Sequence, residues 1–199
     1  MISEIIKLNS DNISLMAQKA AEILKSGGIV IHPTDTCYGI AADINNKKAI
    51  EKTYLFKGRN YHKPLNIIVR DLAQLKKYGR WHPLVKEIIE QNPGRMFSFI
   101  LPRKKTVPAH LNPNFKTIGI QVPKFNFSQS LLSLVDFPLV ATSANLSGMK
   151  NNYSIISLLK QIKKAEIKPD LIIDGGRLPL RRPSCVVEIK DGQVNCLRK

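Results

Sequence analysis

The sequence predicts an α/β fold built on a mixed sheet. Short apolar runs alternate with amphipathic segments along the chain, which is typical of this class. The last two apolar runs flank Asp191 and Gly192 and therefore predict a hairpin, whose strands must be antiparallel. We expect residues 1–199 to form a single domain, since a chain of this length can bury one sizeable core.

Six amphipathic segments are predicted as helices. In the first, Asp11 or Asn12 can serve as the N-terminal cap, and Gly27 and Gly28 end the helix. The apolar residues of this segment recur every three or four positions, which places them on one helical face. The predicted helices span 11–26, 46–56, 71–78, 83–92, 127–135 and 152–164.

The intervening apolar runs are predicted as strands. Residues 28–32 form a β-branched run that Pro33 closes, which indicates a buried strand. A polar loop over 33–39 follows at the carboxyl end of this strand, where open α/β sheets bind ligands. The remaining predicted strands are 64–70, 97–101, 117–122, 139–142 and 171–174, and the hairpin joins 185–189 to 194–197.

The composition excludes several classes of protein. At 43% hydrophobic and 23% charged, the chain is unlike disordered, collagen-like or coiled-coil sequences. It has no signal peptide and no apolar run near the roughly 20 residues that a membrane span needs, so we expect a soluble, cytoplasmic protein without a membrane partner. Cys37, Cys185 and Cys196 lack metal-ligand spacing and are odd in number, which argues against a zinc site and a disulfide framework. We expect them to pack as small apolar groups.

The positive charge lies in the second part of the chain. Residues 1–56 carry six basic and six acidic residues, whereas 57–199 carry 25 basic and nine acidic residues and hence the whole net charge of +16. A lysine-rich genome with a well-solvated surface explains this distribution, and so does an anionic partner such as nucleotide phosphates or RNA. Composition leaves both explanations open.

Three polar motifs interrupt the apolar segments: Pro-Thr-Asp-Thr at 33–36, Lys-Gly-Arg at 57–59, and Thr-Ser-Ala-Asn-Leu-Ser-Gly at 142–148. Hydroxyl and amide groups at strand ends suit hydrogen bonds to a ligand. Two cations around a glycine suit an oxyanion or a polyphosphate. Taken singly, each motif is more typical of a turn or a solvated helix end. The common nucleotide-binding signatures, GxxxxGK[ST] and GxGxxG, are absent from the sequence.

In this order the motifs resemble the YrdC family of threonylcarbamoyl-AMP synthases. The resemblance rests on Pro-Thr-Asp-Thr-x-Tyr-Gly at 33–39, Lys-Gly-Arg-x-x-x-Lys-Pro-Leu at 57–65 and Ser-Ala-Asn-x-Ser-Gly at 143–148, and it extends from Ile13 to Arg198. It implies the short, single-domain form of the family, in which a twisted, open mixed sheet, mostly parallel, is surrounded by helices and has a basic concave face. It also implies that L-threonine, bicarbonate and ATP, with Mg²⁺, are converted to threonylcarbamoyl-AMP and pyrophosphate. A threonylcarbamoyl transferase complex would then use this product to modify tRNA.

The resemblance implies a role for ten residues. The catalytic set is Lys57, Arg59, Ser143 and Asn145, with the two cations on bicarbonate and phosphate oxygens and the Ser/Asn pair orienting nucleotide and carbamate. The amino-acid substrate is expected at Thr36, Gln121 and Ser184. ATP is expected at Arg59, Lys63, Thr117, Ser143 and Arg198, and no side chain is expected to bind a metal.

Three departures from the family pattern leave alternatives open, one of them Pro-Gly-Arg-Met-Phe at 93–97 in place of the usual Pro-Gly-Pro-x-Thr. Gln121 stands where the family often has an arginine that holds the threonine carboxylate, and Arg95 is a candidate for the missing cation. Cys185 stands at a position that is often threonine. The YciO-like paralogues therefore remain an alternative within the same fold. A non-catalytic RNA-binding module is the other alternative, because phosphate neutralisation alone gives affinity for RNA.

Overall fold

The computed structural model describes residues 4–190 and 192–198. The strands in these ranges are β1 (Glu4–Lys7), β2 (Val30–Pro33), β3 (Tyr38–Ala41), β4 (Asn66–Ile68), β5 (Phe97–Pro102), β6 (Thr117–Gln121), β7 (Leu139–Ser143), β8 (Leu171–Asp174), β9 (Cys185–Lys190) and β10 (Gln193–Arg198). The α-helices are α1 (Ile13–Lys25), α2 (Lys47–Lys57), α3 (Leu72–Tyr78), α4 (Leu84–Gln91), α5 (Asn126–Ser133) and α6 (Ile155–Ile162). None of these described helices has the length and apolar character that a transmembrane span requires.

The ten described strands form one mixed sheet in the order β1-β8-β2-β3-β7-β4-β6-β5-β9-β10. The predicted α/β class and mixed sheet are confirmed. The predicted parallel majority is wrong, because among the described strands four neighbouring pairs are parallel and five are antiparallel. The main reason is β3, which begins inside the predicted loop 33–39 and pairs antiparallel with both β2 and β7.

The N-terminal elements differ most from the sequence prediction. β1 was not predicted, although it pairs in parallel with β8 at the edge of the sheet. A 3-10 turn over Ser10–Asn12 precedes α1, and its cap is Asn9, whose side chain accepts hydrogen bonds from two backbone N–H groups. Neither of the predicted caps therefore serves α1: Asn12 makes no side-chain cap bond, and Asp11 lies within the turn. The predicted C-terminal hairpin is confirmed as β9 and β10, with Asp191 outside the described residues.

The two faces of the sheet bury separate apolar clusters. One face packs against α2, α3, α4 and α6, around residues such as Ile50, Phe56 and Leu158. The other packs against α1 and α5, and includes the strand residues Val30 and Ala41. Side chains two positions apart in a strand share a face, so His32 and Gly39 continue this second face towards the strand ends. The polar cavity described below lies there, next to α5.

The cysteines only partly follow the sequence prediction. Cys37 and Cys185 are buried, as expected for small apolar groups, whereas Cys196 is exposed. The Cys185 and Cys196 sulfur atoms lie 3.5 Å apart across the β9–β10 hairpin, and all three cysteines are free thiols. The exposure of Cys196 follows from its place on β10, which is an edge strand with every residue exposed.

Candidate active site

A cavity of about 330 Å³ opens on the face of the sheet beside α5. Its lining combines the loop after β2 with residues from β7, β6 and β10, which all belong to the one sheet. Six of the ten residues expected at the site line this cavity: Thr36, Arg59, Gln121, Ser143, Ser184 and Arg198. The cavity therefore unites residues from all three sequence motifs and from the C-terminal hairpin.

The other four expected site residues do not line the cavity. Lys63 is exposed on the loop after α2. Thr117 begins β6, at the other end of that strand from Gln121, and pairs in register with Pro102 of β5. Lys57 and Asn145 are buried behind the cavity surface, and their contacts show what they do there.

Two unpaired polar atoms mark the cavity as a binding site. Among the buried side-chain nitrogen and oxygen atoms of the described residues, only Arg59 Nε and Ser128 Oγ have no hydrogen-bond partner in the protein. Both residues line this cavity. A buried polar group without a partner costs about 1–3 kcal/mol, so folded proteins keep few of them without a functional reason. Ser128 was not among the residues expected from the sequence.

Arg59 presents its guanidinium to the cavity from the end of α2. Gly58 ends the helix with a left-handed backbone, φ 53°, a conformation that glycine adopts without a steric penalty. The turn brings Arg59 Nη2 within 3.0 Å of the Pro64 carbonyl oxygen, to which it donates. Burial lowers the pKa of Arg59 below its usual value, but a guanidinium remains charged in proteins. Arg59 is therefore a fixed cation with donors left over for a ligand.

Lys57, two residues earlier, uses its charge inside the protein. Its side chain is only 3% exposed. Nζ donates to the backbone oxygen of Ser143 at 2.5 Å, to that of Asn145 at 3.0 Å and to Asn145 Oδ1 at 3.4 Å. Burial, followed by repulsion from Arg59, lowers the pKa of Lys57 to about 8. These three acceptors occupy the three donors of the ammonium group. We call residues 143–149 the Ser-Asn loop, and Lys57 fixes the start of this loop from the protein interior.

Asn145 completes this arrangement within the Ser-Asn loop. Its Oδ1 accepts from Ser143 Oγ at 2.5 Å, and its Nδ2 donates to the backbone oxygens of Leu146 and Met149 at 2.9 and 2.7 Å. The Asn145 side chain is thus committed to the loop, whereas the Ser143 hydroxyl lines the cavity and keeps acceptor capacity. The geometry divides the expected catalytic set into Arg59 and Ser143 at the cavity surface, and Lys57 and Asn145 as positioning residues.

Where β5, β6 and the C-terminal hairpin line the cavity, two hydroxyl groups fix the side chain of Gln121. Ser98 Oγ donates to Gln121 Oε1 at 3.2 Å and lies 3.0 Å from Ser184 Oγ. Arg198 Nη2 in turn donates to Ser184 Oγ at 3.2 Å, and both Nη2 and Nε donate to the Ser184 backbone oxygen. We call Ser98 and Ser184 the serine chain. It engages the carbonyl end of the Gln121 amide, so the NH₂ end is the one available to a ligand.

The cation on this side of the cavity is Arg198, not Arg95. Arg95 is exposed, its guanidinium lies over the Phe97 ring at 5.7 Å from the ring centre, and it is not among the lining residues. The sequence-based suggestion that Arg95 replaces the family arginine at Gln121 is therefore not supported by its position. Arg198 belongs to the expected ATP set and lies in the cavity with Ser184.

Known proteins resemble this chain in sequence. The family model Sua5_yciO_yrdC, described as telomere recombination, matches residues 22–199. A Methanocaldococcus jannaschii protein that carries the proposed name threonylcarbamoyl-AMP synthase is 33% identical over 198 residues, which cover 100% of this chain and 92% of that protein.

Two solved structures share the fold over the whole chain. The Escherichia coli YciO structure has a TM-score of 0.85 at 28% identity, and this chain covers 96% of its length. The structure of Sua5 from P. abyssi complexed with L-threonine has a TM-score of 0.85 at 25% identity. This chain covers only 57% of that Sua5 chain, so it spans less than two thirds of the longer protein.

Proposed function

Because the chain belongs to the Sua5/YciO/YrdC family, we propose that it is a threonylcarbamoyl-AMP synthase, which joins L-threonine, bicarbonate and ATP and releases pyrophosphate. The name of the M. jannaschii relative and the L-threonine complex of Sua5 support this choice of substrates. The observation that carries the proposal is the unpaired Nε of Arg59 in a cavity that a second arginine, Arg198, and several hydroxyl and amide groups also line. Such a cavity suits an oxyanion held beside a neutral polar substrate.

The proposed reaction needs positioning and positive charge rather than a covalent protein group. The threonine amine attacks the carbon of bicarbonate, and loss of water leaves a carbamate. A carbamate oxygen then attacks the α-phosphorus of ATP, and the bond to the β-phosphate oxygen breaks to release pyrophosphate. Negative charges converge in this step, so a fixed guanidinium lowers the barrier by stabilising them. Arg59 and Arg198 line the cavity and are proposed to bind these oxygens.

The remaining expected residues have distinct proposed roles. Ser143 contacts the nucleotide or the carbamate from the Ser-Asn loop, while Lys57 and Asn145 keep that loop in place. Thr36, Gln121 and Ser184 contact the amino acid, with the Gln121 amide N–H replacing the arginine that the family often has. Lys63 and Thr117 remain proposed ATP contacts, although neither lines the cavity in this structure.

Magnesium enters the proposal as part of the substrate, bound to the phosphates of ATP. Among the described residues there is no group of three His, Cys, Asp or Glu side chains that could hold a metal ion. Asp35 is the one carboxylate among the described residues that line the cavity. These residues do not fit a resident metal site, and protein-bound Mg²⁺ commonly relies on substrate phosphates for its ligands. No step above is therefore assigned to a protein-bound metal.

A YciO-like role is the second candidate, and Gln121 favours it. Loss of a charge-assisted pair with the threonine carboxylate costs about 1.5–3 kcal/mol, which lowers affinity about tenfold to hundredfold. In the sequence alignment, as distinct from the structural superposition, the chain covers 92% of E. coli YciO and is 30% identical to it. For either candidate, transfer of the product to tRNA by a separate complex, and direct binding of RNA, are further proposals based on the family and on the net charge of +16.

Pyrophosphate release by the purified protein tests the synthase proposal. The reaction contains ATP, Mg²⁺ and bicarbonate, with and without L-threonine. We expect release that requires both threonine and bicarbonate, and a decrease of about 100-fold or more in Arg59→Met, because a fixed donor to the reacting charge is lost. Arg80→Met is the matched control, since Arg80 is exposed and absent from the cavity lining. Release that is independent of threonine contradicts the proposal.

A further inference from the structure

Two buried polar side chains of the cavity have no part in the reaction proposed above. Ser128, in the first turn of α5, is 1% exposed and its Oγ has no partner within the described protein. His32, in β2, is 2% exposed. Both line the cavity, and the His32 ring lies 5.6 Å from the ring of Phe127, the neighbour of Ser128. We call these two side chains the His32–Ser128 subsite.

The hydrogen bonds of His32 determine which of its nitrogen atoms can accept. Nδ1 lies 2.9 Å from the backbone oxygen of Pro33, and because a carbonyl oxygen only accepts, Nδ1 carries the hydrogen. Burial lowers the pKa of His32 to about 4, so the imidazole is neutral at pH 7 and Nε2 has a free lone pair. The subsite thus offers one acceptor, His32 Nε2, and one hydroxyl that both donates and accepts, Ser128 Oγ.

This pair of groups matches an alcohol better than any charged group. An alcohol donates its single hydrogen to Nε2 and accepts a hydrogen from Ser128. A carboxylate or phosphate oxygen has no hydrogen for Nε2 and brings a negative charge to a buried position without a counter-ion, which is costly. The cavity cations Arg59 and Arg198 come from the α2 end and the C-terminal hairpin rather than from β2 or α5. The subsite is therefore neutral, and its Ser128 hydroxyl has no hydrogen-bond partner within the described protein.

We infer that the His32–Ser128 subsite binds the side-chain hydroxyl of the amino-acid substrate and selects L-threonine over analogues that lack this hydroxyl. The inference rests on the proposed function, since it names the part of the cavity that recognises one group of that substrate. Discrimination arises because an analogue without the hydroxyl leaves Ser128 Oγ buried and unpaired and gives no hydrogen to His32 Nε2. Enzyme sites that hydrogen-bond a substrate hydroxyl reject the deoxy analogue far more strongly than a purely apolar pocket can.

Ser128→Ala tests the inference, with L-threonine compared to L-2-aminobutyrate, which differs only by lacking the hydroxyl. The assay measures kcat/KM for pyrophosphate release with each amino acid. We expect Ser128→Ala to lower kcat/KM for L-threonine about tenfold and to leave that for L-2-aminobutyrate within about twofold of wild type, so that discrimination between them falls. The substitution removes no hydrogen bond within the protein, so we expect the variant to fold. A thermal unfolding curve checks this.

Ser133→Ala is the matched control, because Ser133 lies on the same helix, is exposed and is absent from the cavity lining. It should keep the wild-type discrimination. An unchanged preference for threonine in a folded Ser128→Ala overturns the inference and leaves the synthase proposal standing. A wild-type protein that responds to no amino acid overturns the synthase proposal and this inference together. The two failures are therefore distinguishable.

Discussion

The cavity is bordered by two buried titratable groups that the protein treats differently. Behind the Ser-Asn loop, Lys57 is buried, yet its charge is matched by three oxygen acceptors. Beside α5, His32 is equally buried and makes one hydrogen bond, through Nδ1, to a backbone oxygen. Burial lowers the pKa of both, to about 8 for Lys57 and about 4 for His32. At pH 7 the first group is therefore charged and the second is neutral.

The difference shows how one cavity contains regions of opposite character. The Lys57 ammonium fixes a loop whose Ser143 hydroxyl faces the region where charged groups are proposed to react. The neutral His32 leaves an acceptor nitrogen in a region suited to an uncharged group. A buried charge with several partners is hard to remove without loss of structure, whereas a neutral group with one partner is replaceable. The predictions below test this contrast.

The largest expected effect on stability is that of Lys57→Met. The methionine fills similar space but removes the charged donor from the backbone oxygens of Ser143 and Asn145, and the Ser143 oxygen keeps only the Asn145 N–H. We expect the free energy of unfolding at pH 7 to fall by about 3 kcal/mol, because hydrogen bonds to charged groups contribute most and unsatisfied buried acceptors are costly. Urea-induced unfolding measures this. Arg59→Met loses one hydrogen bond, to the Pro64 oxygen, and its free energy of unfolding should fall by about 1 kcal/mol. Equal losses in the two variants would contradict the positioning role assigned to Lys57.

The neutral His32 predicts sensitivity to acid. Between its unfolded pKa of 6.5 and its folded pKa of about 4, the unfolded chain binds a proton that the folded protein does not. Stability from this group is therefore complete above pH 6.5 and is lost as the pH falls towards 4. We expect wild type to lose about 2.5 kcal/mol more than His32→Gln between pH 7 and 4.5, as measured by urea unfolding at each pH.

A matched variant controls for general acid effects on this protein. His62→Gln changes an exposed imidazole on the loop after α2 and should follow the wild-type pH dependence. Parallel curves for wild type and His32→Gln would mean that His32 is not held neutral in the folded protein. The hydroxyl-binding role proposed for its Nε2 would then lose its physical basis.

The smallest expected effect comes from the serine chain. Ser98→Ala removes a neutral donor to Gln121 Oε1 and a neighbour of Ser184 Oγ. We expect a loss of about 1 kcal/mol in the free energy of unfolding, the usual contribution of neutral hydrogen bonds. The KM for L-threonine should rise, since Gln121 is no longer fixed, while kcat changes little. A loss as large as that of Lys57→Met would show that the contrast between charged and neutral regions is wrong.

The sequence could predict the elements whose local signals are strong. The apolar stripe and the glycine pair predict α1 closely. In contrast, β3 was not predicted: its first two residues lie in the predicted loop 33–39, and its four buried residues show no alternation between polar and apolar side chains. β1 was not predicted because it is a short edge strand with charged residues at both ends.

The site was predictable as a set of motifs, but not in the roles of its members. The spacing Lys-Gly-Arg predicts two cations at one place, yet the partners of Lys57 come from backbone oxygens 86 and 88 residues away. No local pattern contains that information. Ser128 gave no signal either, since a serine in a helix usually indicates a solvated face. Only the packing of α5 against the sheet shows that its hydroxyl is buried and unpaired.

The most direct test of the proposed function follows the carbon of bicarbonate. Wild-type protein is incubated with ATP, Mg²⁺, L-threonine and ¹³C-labelled bicarbonate, and the nucleotide products are identified by mass spectrometry, with Arg59→Met as the parallel sample. We predict a nucleotide that contains AMP, threonine and one labelled carbon, formed by wild type and strongly reduced in the variant. Formation of AMP or ADP alone, without incorporated label or threonine, would contradict the account.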